Sequence, residues 1–208
     1  AFKKYSRFYK GHKNVFMSLS NSTGAPSDPS VISAQRNVGH SFSQKQQWAE
    51  AIACYQDILS LIPYDVETLY YLARALQAQG RNSEAIQCYQ KVIQLKPDVA
   101  EAYNNLGNLV QKKREYKQAI DLYYKALALK PNYAAVFHNL GNAYFEQRLL
   151  TESIRCYQQV LQLTEAPAIV YSHLADALTL QGQPELAEPY YRQALALEPN
   201  TPSIHTNL

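Results

Sequence analysis

The side chains in this sequence that could do chemistry are amides, imidazoles and phenols, and they recur at regular distances. Asparagines stand at Asn37, Asn104, Asn105, Asn108, Asn139, Asn142 and Asn207. A carboxamide carries both a donor and an acceptor, so a row of them can hydrogen-bond the main chain of an extended peptide and read backbone rather than side chains. His138 and His173 lie 35 residues apart, with Asp176 three residues after the second. Three such donors would interest a metal ion, but zinc needs three or four of them converging on one point with a supporting outer shell, and polar surface lining is the expectation here. Arg74 offers a guanidinium to an acidic group, and Tyr70, Tyr71 and Phe145 offer an apolar pocket. Catalytic signatures are missing. The chain has no glycine-rich phosphate loop, no Gly-x-Ser-x-Gly elbow and no His-Glu-x-x-His pair, so this segment is not expected to be an enzyme, and neither a cofactor nor a bound metal is expected.

The elements that must position these residues follow from a 34-residue period. It aligns Pro63, Pro97, Pro131 and Pro199, with Glu165 the one exception. It also aligns Ala51, Ala85, Ala119, Ser153 and Ala187, then Tyr55, Tyr89, Tyr123, Tyr157 and Tyr191, and Gly39, Ala73, Gly107, Gly141 and Ala175. Five units result, 32–65, 66–99, 100–133, 134–167 and 168–201, and 202–208 begins a sixth. Each unit reads as two helices. In the third, Tyr103, Leu106 and Val110 recur at helical spacing, Lys112-Lys113-Arg114-Glu115 makes a polar turn, and Ala119, Tyr123 and Ala126 resume the stripe before Pro131. The proline stops the second helix because it lacks an N–H and restricts its predecessor. Small residues mark close approach of two backbones, and the tyrosines fill the holes between helices with their hydroxyls near the wet edge.

Those columns resemble the tetratricopeptide repeat. The resemblance covers about 170 of the 208 residues. It implies an all-α, right-handed superhelical solenoid of tandem helix-turn-helix units, first helices on a concave face and second helices on the convex one. The sixth position of each unit then faces the groove, reading Asn37, Tyr71, Asn105, Asn139, His173 and Asn207, and so does the ninth, reading His40, Arg74, Asn108, Asn142 and Asp176. Successive first helices pack roughly 9–10 Å apart. The row is similar to the asparagine ladder in the tetratricopeptide region of O-linked N-acetylglucosamine transferase and SPINDLY-type bacterial proteins, interrupted at Tyr71 and His173. The family's clamp for acidic chaperone tails needs lysine and arginine forks that this chain lacks, having Ile169 and His173 where the cations belong.

The function implied is a scaffold or adaptor that holds an extended peptide or helix of a partner protein in the groove. The alternative is a substrate-recruiting arm of a larger enzyme, such as a glycosyltransferase, with its catalytic domain beyond Leu208. That view draws on the abrupt end of the sixth unit, which also offers an uncapped surface to homo-oligomers. Lys+Arg 20 against Asp+Glu 17 is too even for a nucleic-acid binder. The excess sits in residues 1–31, where Lys3, Lys4, Arg7, Lys10 and Lys13 face only Asp28. This leader is basic and aromatic, then rich in Ser and Pro; Met17 reads as a natural start and 1–16 as an appended segment able to engage RNA, a membrane surface or an acidic groove near Glu67, Glu101 and Glu146. No stretch approaches the ~18–20 apolar residues of a membrane span. Cys54, Cys88 and Cys156 share one column on separate helices, too far apart for disulfides, which suits a cytoplasmic setting.

Overall fold

The computed structural model describes residues 28–199. The leader's Phe2–Lys13 stretch, Met17, the start of the sixth unit and Asn207 lie outside them. The described residues hold ten helices and no strand, grouped into two units within residues 1–97 and 98–208. The first unit contains α1 (Pro29–Gln44), α2 (Trp48–Leu61), α3 (Val66–Ala78) and α4 (Asn82–Leu95). The second contains α5 (Ala100–Lys112), α6 (Tyr116–Leu129), α7 (Ala134–Glu146), α8 (Leu150–Leu163), α9 (Ala168–Leu180) and α10 (Pro184–Leu197).

Helix α1 starts three residues inside the segment read as leader. Asp28 caps it, its carboxylate accepting from the Ser30 N–H at 2.8 Å, and Pro29 fills the first helical position, where a missing N–H costs nothing. Asp65 does the same for α3 by accepting from the Thr68 N–H at 2.9 Å. Arg36 of α1 reaches over that cap, donating to Asp65 at 2.8 Å, to Thr68 Oγ1 at 3.1 Å and to Glu67. The start of α3 is thereby fixed against the flank of α1.

Within each unit, consecutive helices pack against one another and alternate first helices also touch. The cause is visible in the small-residue columns. Ala51, Ala85, Ala119 and Ala187 are wholly buried, and Ser153, equally buried, donates to the Gly141 carbonyl at 2.9 Å. A Cβ added at Gly107 would come within 2.6 Å of the Tyr123 ring. The five column tyrosines are the largest fully buried side chains, each filling the space its small neighbours leave.

The turn inside each helix pair carries its own period. Gln46, Gly80, Arg114, Arg148 and Gly182 all have positive φ, between 58° and 84°. Glycine adopts this left-handed region without strain, whereas glutamine and arginine pay for it through their Cβ. In α10, Pro189 removes one intrahelical N–H donor.

Candidate functional site

In the first unit the side chains beyond the core gather between α1, α2 and α3. Tyr71 stands edge-to-face with His40 at 3.9 Å between ring centroids and lies nearly parallel to Tyr55 at 6.2 Å. Tyr70 continues the aromatic chain, 5.6 Å from Tyr71 and 6.0 Å from Tyr89. Next to these rings is a hollow of about 440 Å³. Trp48, Tyr55, Tyr71 and His40 give it aromatic walls, and Ser43, Gln44 and Arg74 give it polar ones. Arg74 is exposed and makes no ion pair among the described residues. Burial holds the His40 imidazole below its ordinary range, Glu67 pulling upward while Arg36 and Arg74 push it down further. Its Nε2 is buried without a hydrogen-bond partner. Asn37 is exposed on α1.

In the second unit the amides are already engaged. Asn139 of α7 donates to Asn104 Oδ1 at 2.9 Å, and Asn104, buried on α5, donates to Asn105 Oδ1 at 3.3 Å. Two of the expected ladder residues, Asn105 and Asn139, are thus joined through Asn104 into one chain of amides across two first helices. The ninth-position residues have a different task. Tyr157 donates its hydroxyl proton to Asn142 at 2.7 Å, and Tyr191 donates to Asp176 at 2.7 Å. The Tyr123 hydroxyl lies 2.8 Å from Asn108 Oδ1 and 2.6 Å from Gln111 Oε1, so its single proton is divided between the two amide oxygens. Asn108 and Asn142 are bonded to hydroxyls whose rings are buried, which leaves each only part of its amide for a partner. Where the ninth residue is His40 or Arg74, the tyrosine turns to the twelfth position instead, Tyr55 pairing with Ser43 at 3.3 Å and Tyr89 with Gln77 at 3.1 Å.

His138 and His173 meet across α7 and α9 with Nε2 and Nδ1 3.2 Å apart. The ring planes differ by 15° and the centroids are 5.3 Å apart, hardly less than the N···N distance plus two ring radii, so the imidazoles are edge to edge and share a proton head-on. The two facing nitrogens are taken up by this shared proton, and among the described residues no group of three or more His, Cys, Asp or Glu converges on a metal site. Burial and the neighbouring His173 push His138 down to about 4, and burial lowers His173 against the opposing pull of Asp176. A second hollow, of about 380 Å³, opens beside this pair. Asn142, Phe145, His173 and Asp176 line it together with Gln111, Glu146 and Tyr157.

The expected site residues therefore fall into local groups. Tyr71 and Arg74 share the hollow of the first unit, while Phe145, paired with Tyr71 by expectation as one apolar anchor, belongs to the hollow of the second. Trp48 and Gln111 line these hollows without having been singled out, while His40 was expected there only as a ninth-position groove residue and Glu146 only as part of an acidic edge. Gln111 stands three residues after the ninth-position Asn108 on the same helix face, a spacing that could have found it, whereas Trp48 starts a second helix, where no groove position was sought. Cys54 and Cys156 are buried free thiols, pushed up to about 11 and about 12 by burial. No described helix is long and apolar enough to cross a membrane.

With this geometry in view, known proteins give a consistent comparison. A TPR-repeat model matches residues 73–114, and a tetratricopeptide-repeat model matches residues 98–166 and 132–198. No curated protein sequence matches the chain. Among solved structures, a MamA protein is 27% identical with a TM-score of 0.71, the match covering 80% of this chain and 91% of that one. MamA from Desulfovibrio magneticus RS-1, residue 41 to its end, is 22% identical with a TM-score of 0.74, over 82% of this chain and 97% of that one. YrrB, a TPR protein with an unusual peptide-binding site, is 16% identical with a TM-score of 0.73, over 92% of this chain and 96% of that one. The repeat models span residues 73–198 between them, the helices alternate as such repeats require, and the chain belongs to the tetratricopeptide repeat family.

Proposed function

We propose that this chain is a protein-interaction module that holds an extended segment of a partner protein on the first-helix faces of its units, with repeat boundaries at 32–65, 66–99, 100–133, 134–167 and 168–201. The observation that carries the reading is the amide chain Asn139–Asn104–Asn105 across the first helices α5 and α7. Asn139 spends one N–H on Asn104, and its Oδ1 has no partner among the described residues, so it retains a donor and an acceptor for a guest main chain. Family membership supports an interaction role, since tetratricopeptide proteins include the peptide-binding YrrB. The free, buried cysteines suit a cytoplasmic setting.

The test selects peptides from a random displayed library against the immobilised chain and measures the affinity of the best binder for the wild type and for Asn105→Ala with Asn139→Ala. Each main-chain hydrogen bond lost should weaken binding by about 1 kcal/mol, or roughly fivefold. Thermal unfolding of the same variants separates this from the loss of the Asn104 contact. A library that yields no binder, or a binder held equally well by the folded double variant, refutes the proposal.

A further inference from the structure

The hollow of the first unit has a chemistry distinct from the amide row. Arg74 is the one charged side chain in its lining, and it is exposed with no ion pair among the described residues. The nearby Glu67 is occupied by Arg36. Trp48, Tyr55 and Tyr71 line the same hollow as the guanidinium, with Ala75 and Ala78 adding apolar surface. Ser43 is tied to the Tyr55 hydroxyl, so it adds little of its own. The back wall is incompletely satisfied, because His40 Nε2 has no hydrogen-bond partner and the Tyr71 ring stands against the imidazole at 3.9 Å. A volume of about 440 Å³ accommodates a bulky side chain together with a polar head.

We propose that this hollow is a subsite for a partner segment in which an acidic side chain stands beside a bulky apolar one, the carboxylate pairing with Arg74 and the apolar group entering against Trp48 and Tyr71. The proposal rests on the reading that the first-helix faces hold peptides and names the side-chain chemistry selected there. An arginine fork suits a carboxylate, with two parallel N–H donors, and because Arg74 is exposed the pair is screened by solvent and its selectivity is modest. A lysine or arginine guest would meet the charge of Arg74 at close range, and an uncharged guest would leave that charge unmatched.

The chain's only tryptophan lines the hollow, so Trp48 emission reports occupancy directly. The experiment titrates the full chain with two short blocked peptides that differ only as Phe-Glu and Phe-Gln. Trp48 emission should shift with both, and the Glu peptide should bind roughly fivefold tighter at low salt. The difference should disappear in Arg74→Gln, survive in part in Arg74→Lys, and shrink as salt is added. Equal affinity for the two peptides, discrimination that persists in Arg74→Gln, or Trp48 emission unchanged by either peptide overturns the subsite. The broader reading fails separately, since it is judged on the library-selected peptide with the Asn105 and Asn139 variants and does not involve Arg74.

Discussion

Lowering the pH should loosen the second unit through one side chain, His138. Its ordinary value is 6.5, and burial and His173 bring it down to about 4 in the folded chain. The unfolded chain therefore takes up a proton between those values more readily than the folded one. Stability from this source is complete above about pH 6.5 and is lost as the pH falls toward about 4. The gap between the two values corresponds to roughly 3 kcal/mol, but the ring is only half-buried and solvent screens it, so a loss of about 1 kcal/mol between about pH 7 and pH 5 is the working figure. The assay is urea unfolding at those two pH values, comparing the wild type with His138→Gln. Glutamine carries no charge at either pH, and its amide can still donate to His173 Nδ1. His40 and His173, also lowered by burial, titrate in both proteins, so the variant keeps a residual slope and only the difference is read. Wild type and variant losing the same stability between the two pH values would refute the account of a neutral imidazole pair.

Three further outcomes follow from local geometry. Arg114→Gly should stabilise by about 0.5 kcal/mol because φ at 64° strains an L side chain, while Gly80→Ala, at φ 84° with open space around it, should destabilise by about 1 kcal/mol; denaturant midpoints with the opposite order would remove strain as the explanation. Gly107→Ala sets a Cβ at 2.6 and 2.9 Å from two carbons of a fully buried Tyr123, an overpacking cost of about 1–3 kcal/mol offset by about 1 kcal/mol of helix propensity, so calorimetry should show a net loss, and equal or greater stability would mean the ring can yield. Tyr157→Phe and Asn142→Ala should each cost about 1 kcal/mol, and together scarcely more than either alone; fully additive losses in the double-mutant cycle would show that their 2.7 Å hydrogen bond contributes nothing.

How far the sequence could be read depends on which force fixes each column. Columns ruled by volume were legible. Ala119 and Tyr123 recur because a small and a large side chain must interlock, and residue type alone reports that. The backbone columns were half legible, since Gly80 and Gly182 announce a left-handed turn while Gln46, Arg114 and Arg148 occupy the same conformation with nothing in their chemistry to say so. The period connects them, and a residue 34 positions from a turn glycine should be expected at positive φ whatever its type.

The polar columns were less legible for a different reason. An asparagine facing a groove and an asparagine satisfying a buried hydroxyl are the same letter, and only the partner fifteen residues later tells them apart. Asn108, Asn142 and Asp176 each have that tyrosine in bonding contact, so part of their capacity is spent inside the repeat. Among the expected residues that retain capacity beyond what the repeat uses are Asn139, whose oxygen has no partner among the described residues, and Arg74, whose tyrosine neighbour Tyr89 turns to Gln77 instead. Hydrogen bonds the fold has already made cannot also select a guest without a cost of about 1 kcal/mol each, so selectivity should concentrate where the fold makes none. Column identity predicts packing; the hydrogen-bonding capacity that packing leaves over predicts recognition.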